Sequence, residues 1–178
     1  MYKKDNPQSS NFDEKLFYVA LSLIPNIGPV LSKKLIQYCG SAEAIFRERK
    51  HTLLRIPGIG ATTSNAILSC RIFERAEQEI AYAEKNNISI LMHGDLTYPR
   101  RLTHCYDSPL VLYKLGNSTL NPNRVVAIVG TRVPTAYGSM FTEQLISELA
   151  PYETLIISGL AYGIDSIAYL GTGFSVPI

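Results

Sequence analysis

Only three cysteines occur in the 178 residues, Cys39, Cys70 and Cys105. They lie far apart, form no CxxC pair and leave an odd one over, which argues against a disulfide framework or a zinc cluster and fits a reducing compartment. No segment approaches the roughly 20 consecutive apolar residues that span a bilayer. The polar N-terminus, MYKKDNPQSSNF, has no apolar stretch of signal-peptide length. The expectation is a soluble, cytoplasmic protein with no membrane partner. Basic residues are also scarce where they would be informative: residues 151–178 contain no Lys or Arg, and the formal net charge is only +2. Any phosphate contact must come from local backbone geometry or from upstream cations. P-loop, metal-ligand spacing and Ser/His/Asp order are all missing. His51, His93 and His104 stand outside the glycine turns described below, so no cofactor or metal is expected.

What is present is a core-forming composition, 46% hydrophobic, sufficient for one medium domain or two small ones. The first third repeats itself. LSLIPNIGPVLSKKLI from Leu21 and LLRIPGIGATTSNAIL from Leu53 share Leu, Ile, Pro, Ile, Gly and Ser in register. In each copy an apolar helix end runs into Ile-Pro-x-Ile-Gly, and a second helix starts at once with a small residue, Ser32 or Ser64, four positions after the glycine. Proline stops the first helix, the glycine is expected to take a conformation other residues resist, and serine lets the helices approach. Such a unit resembles a helix-hairpin-helix, here in tandem. The resemblance implies hairpin amides that contact duplex phosphates without reading sequence. Helix-start amides, unpaired and in a positive dipole field, suit that task. Pro29 removes a donor from the first hairpin and Asn26 replaces its usual glycine, so Pro57, Gly58, Ile59 and Gly60 of the second are the candidate duplex contacts. A packing module whose glycines only turn the chain is the competing reading. Lys33, Lys34, Arg47, Arg49, Lys50 and Arg55 surround these hairpins as a basic face or a solvated surface. From Cys70 to Asn86 an amphipathic helix follows, with Ile72, Phe73, Ala76, Ile80 and Ala83 on one side. The domain boundary is expected near residue 87, dividing a helical domain, 1–87, from a sheet domain, 88–178.

The second part reads as strands and glycine turns. ISILMHG and PLVLYKL are strand candidates on either side of Tyr98-Pro99-Arg100-Arg101-Leu102. RVVAIV, Arg124 to Val129, suggests a parallel strand buried on both faces, and it stops on Gly130. Helical spacing follows at Phe141, Leu145, Ile146 and Leu149. Thr154 to Ile157 is a second buried-strand run, ending on Ser158-Gly159-Leu160-Ala161-Tyr162-Gly163-Ile164-Asp165. Strand, glycine turn, helix, strand, glycine turn is the order of a Rossmann-like parallel sheet. A right-handed crossover would bring both turns to one edge as a phosphate-sized pocket. Arg132 would add bidentate reach to phosphate, and Thr131 and Ser158 offer hydroxyls.

VAIVGTRVPTAYG, followed about thirty residues on by LIISGLAYGID, closely resembles the signature of the DNA-processing protein A family, also called Smf. The similarity reaches upstream through YPRRL and DSPLVLYKLGN to the paired hairpins, and downstream to about Ala168. It implies a bacterial cytoplasmic protein that binds single-stranded DNA during natural transformation and loads the RecA recombinase onto it. On that basis Gly130, Thr131 and Arg132 match the family's phosphate-binding turn, and Ser158, Gly159, Leu160, Ala161, Tyr162 and Gly163 its second turn. Tyr162 stands where Arg is common, so that a tyrosine would stack on a base where a cation is missing. Tyr169 falls where a His usually stands. The expected fold class is therefore α/β, a tandem helix-hairpin-helix domain followed by an incomplete Rossmann-like sheet. The remaining strands, and the surfaces for homodimerisation and RecA contact, would lie beyond Ile178, as in a truncated or frameshifted copy or a fragment, with weak or no RecA loading expected from these residues alone.

Two other classes of function compete, an enzyme and a duplex-binding module. A Rossmann-like oxidoreductase would need G-x-G-x-x-G where the chain has G-T-R-V-P-T, with an acidic residue at a later strand end. A nucleotide hydrolase would have to use Asp165, the only carboxylate near the pocket, which a helix-start cap or dipole partner explains more simply. No enzyme is expected. A duplex-binding module would instead make the hairpins functional and the sheet a scaffold.

Overall fold

The computed structural model describes residues 7–69, 72–171 and 175–177. The chain forms two compact units, residues 1–116 and 117–178. In the first, helices α1 (Pro7–Ser22), α2 (Pro29–Cys39), α3 (Ala42–Arg47), α4 (Lys50–Leu53), α5 (Ala61–Leu68) and α6 (Ile72–Lys85) precede strand β1 (Ile88–Met92), the short helix α7 (Arg100–Thr103) and strand β2 (Val111–Leu115). β1 and β2 pair antiparallel, Ile88 opposite Leu115 and Met92 opposite Val111.

The internal repeat of the sequence is a repeat of structure. Leu21, Ile24, Ile27 and Leu35 recur thirty-two positions on as Leu53, Ile56, Ile59 and Ile67, and all eight are buried in one core cluster. The turns bond alike: the Ile27 amide donates to the Ile24 carbonyl at 3.2 Å and the Ile59 amide to Ile56 at 3.0 Å. Ser32 and Ser64 are both buried, 1% and 0% exposed. The strained position differs from the one expected. Gly28 and Gly60 have extended backbone and serve as N-caps of α2 and α5. The left-handed residues are the variable ones before them, Asn26 at φ 64° and Gly58 at φ 95°. The chain reverses at that position, and the later glycine only launches the helix.

The division between units also falls later than residue 87. A second cluster joins Val19 and Ala20 of α1 to Ala76 and Ile80 of α6, with Ile90 of β1 and Val111 of β2 packed against it. The hairpin of β1 and β2 thus belongs with the helices, because its apolar side has its partners there.

The second unit is a three-stranded parallel sheet in the order β3-β4-β5, from β3 (Val125–Ala127), β4 (Leu155–Ser158) and β5 (Ser175–Pro177), with α8 (Ala136–Leu149) and α9 (Ile164–Leu170) in the connections. Ile128, Ile146, Ile156 and Ala168 form its core. The expectation of a first strand buried on both faces fails: Ile128 is 8% exposed but Val129 is 74% exposed. β3 stands at the edge of this sheet with one side uncovered, while β4, buried at Leu155, Ile156 and Ser158, is its centre.

Candidate phosphate-binding edge

Parallel pairing of Val125 with Leu155 and Ala127 with Ile157 brings the ends of β3 and β4 together. The two glycine turns therefore meet at one edge of the sheet. What holds them is Asp165, 6% exposed. One carboxylate oxygen accepts the Gly130 amide at 3.1 Å and the other accepts the Gly159 amide at 3.2 Å. The Ser158 hydroxyl donates to the Asp165 carbonyl at 3.2 Å. Two amides expected to face a phosphate thus face a built-in carboxylate. Asp165 is an internal anion tying two strand ends, a larger role than helix capping, and the signal for it is an acidic residue two positions after the last glycine of the second turn.

The glycines are required by this closeness. A Cβ on Gly130 would lie 2.7 Å from the Ile164 side chain. A Cβ on Gly163, at φ 89°, would lie 2.2 Å from the Thr131 carbonyl oxygen, which accepts the Ile164 amide at 3.2 Å. Leu160 carries the remaining turn strain, at φ 52°. Ser158 is buried and Ala161 half-buried, so neither presents a side chain freely to a ligand.

Outside this lock stand Thr131, Arg132 and Tyr162. Thr131 and Arg132 are exposed, and the Thr131 hydroxyl accepts the Val133 amide at 3.2 Å, shaping the turn before α8. Thr135 caps α8 by accepting the Gly138 amide. Arg132 has no ion-pair partner among the described residues. The other cation of this unit, Arg124, is engaged, donating to the Tyr152 carbonyl at 3.0 Å with its guanidinium over the Tyr152 ring. Tyr162 is 86% exposed. The hairpin candidates lie in the first unit: Ile59 is buried there at 6%, and the amides following Gly60 start α5 without a side-chain cap.

Fold and site together define a mixed α/β protein whose parallel-sheet edge carries two glycine turns around a buried carboxylate. Residues 89–172 match the family described as DNA recombination-mediator protein A. Protein Smf of Synechocystis sp. is 32% identical over 92% of this chain and 45% of its own length. DNA processing protein DprA of Bacillus subtilis is 34% identical over 56% of this chain and 34% of its own. The X-ray structure of DNA processing protein A from Streptococcus pneumoniae superposes with a TM-score of 0.50 at 24% identity, covering 89% of this chain and 53% of that one. The chain belongs to the DNA-processing protein A (DprA/Smf) family, and it spans about half the length of the relatives it matches or less. Among the described residues no helix is long and apolar enough to cross a membrane.

Proposed function

We propose that this chain is a cytoplasmic, non-catalytic binder of single-stranded DNA in natural transformation, holding backbone phosphate at Gly130-Thr131-Arg132 beside the turn Ser158 to Gly163. The reading rests on Arg132, an exposed side chain in the first of two converging glycine turns, with no ion-pair partner among the described residues. Arg132 takes the phosphate, the Thr131 hydroxyl assists, and Tyr162 offers a ring for a base to stack on. Gly130, Ser158, Gly159 and Gly163 act as scaffold. The Asp165 carboxylate, already occupied by two amides, is unsuited to serve as a general base. On this reading the paired hairpins are a helix-hairpin-helix tandem and the parallel sheet is Rossmann-like. RecA loading and homodimerisation are functions we assign to the longer family members.

Fluorescence anisotropy with single-stranded and duplex oligonucleotides across a salt series tests this. Arg132→Ala should abolish most single-strand binding, while Gly60→Ala does little. Weak, equal binding to both ligands that Arg132→Ala leaves unmoved would sink the proposal. The uncapped start of α5 supports one rival, a duplex-binding hairpin, for which the ranking of the two variants would reverse.

A further inference from the structure

The charge of this protein is not where the glycine turns are. Residues 117–178 contain two basic side chains against four acidic ones, whereas residues 1–116 contain fifteen against eleven. Within the first unit, a cleft of about 490 Å³ opens between α2 and the segment following α7, of a size usual for ligand sites. Lys33, Lys34, Gln37, His93, His104 and Tyr106 line it, and no carboxylate does. Lys33 is fixed in place: its ammonium donates to the Tyr106 carbonyl at 2.7 Å and to the buried Ser108 hydroxyl at 2.9 Å. Both acceptors are neutral, so the charge is positioned without being cancelled. Neither Lys33 nor Lys34 has an ion-pair partner among the described residues. Neither Asp95, which accepts the Met92 amide, nor Asp107 lines the cleft. Burial, and the charge of Lys33, hold the His93 imidazole below its ordinary range, which leaves that ring neutral near pH 7. At the rim Tyr106 is 80% exposed.

Two uncompensated ammonium groups, neutral donors and an exposed aromatic ring are what a single-stranded phosphodiester needs: cations follow the backbone and the ring receives a base. A phosphopeptide would use the lysines but leave the ring without a task. We infer that this cleft of the first unit is a second single-stranded nucleic-acid site, in which Lys33 and Lys34 hold phosphate and Tyr106 stacks a base. It is independent of Arg132 and stands or falls separately from the glycine-turn reading.

The test is photocrosslinking of the full chain to a 5-iododeoxyuridine-substituted oligonucleotide, with the adduct mapped by mass spectrometry. An adduct on Tyr106 or His104 is expected, and it should persist in Arg132→Ala. Tyr106→Leu should lose the Tyr106 adduct while keeping the fold, because only the backbone of that residue anchors Lys33. Lys34→Gln should lower the slope of log affinity against log salt by about 0.7, one single-strand phosphate contact. Absence of adducts from residues 102–114, with the slope unchanged in Lys34→Gln, would overturn the inference. Equal displacement of the oligonucleotide from this cleft by inorganic phosphate at matched ionic strength, whatever the oligonucleotide length, would also overturn it, since it would mean a simple anion site.

Discussion

At Gly163 the backbone takes φ 89° and ψ −130° while the Thr131 carbonyl passes close beneath it. Alanine there must both adopt a conformation that L-residues resist and push backbone away, with no flexible side chain to yield. Gly163→Ala should cost about 2 kcal/mol or more of unfolding free energy, read by urea denaturation. Asp165 is the complementary case. Removing its carboxylate strands the Gly130 and Gly159 amides, and losing two hydrogen bonds to a charged acceptor costs on the order of 3 kcal/mol. Asp165→Ala should lower the denaturation midpoint strongly, and Asp165→Asn should recover part of the loss by keeping one acceptor oxygen. If Asp165→Ala were as stable as wild type, the carboxylate would not be what joins the turns. The sequence led to the expectation that the turns at Gly130 and Gly159 share one sheet edge. It did not show that an aspartate had taken the place of the anion, because the bond spans thirty-five residues from Gly130 and no local pattern carries it.

The paired hairpins show what a repeat can and cannot reveal at the level of elements. Identical residues in register identified the core, and every repeated Leu and Ile named above is buried. Backbone conformation was not deducible from those identities, since the left-handed position holds different residues in the two copies, Asn26 and Gly58. Their difference makes a paired prediction. A Cβ at Gly58 would have room, meeting only the Leu31 side chain at 3.8 Å, so Gly58→Ala should cost only the backbone penalty, about 1–2 kcal/mol. Asn26→Gly should be neutral or slightly stabilising, because asparagine already tolerates that region better than other residues do. Thermal unfolding of both variants checks this, and equal losses would mean that the two turns are not equivalent. The strand candidates around Tyr98 were also legible, whereas their membership in the helical unit was not, because it depends on α1 and α6 packing across a long sequence separation.

On the scale of the whole chain, the titrating groups among the described residues that burial perturbs lie in the first unit and bound its stability from both sides of neutrality. Burial raises the phenols of Tyr18, Tyr98 and Tyr113 above their ordinary value near 10. The unfolded chain therefore releases these protons first as pH rises, and stability present below pH 10 is lost above it. His93 is shifted the other way, held below its ordinary value near 6.5 by burial and by Lys33. The unfolded chain then takes the proton first as pH falls, and that contribution is present above pH 6.5 and lost below it. Unfolding free energy should accordingly be greatest between about pH 7 and pH 9. Tyr98 is the informative side chain, 1% exposed, with its hydroxyl donating to the Pro109 carbonyl at 2.7 Å. Tyr98→Phe should lower stability at neutral pH by about 1 kcal/mol through the lost bond. It should also flatten the alkaline decline, because the phenylalanine has no proton to lose. Urea denaturation of both proteins from pH 7 to pH 11 measures the two effects separately. Parallel curves would mean that the Tyr98 phenol is not among the groups responsible for the alkaline loss.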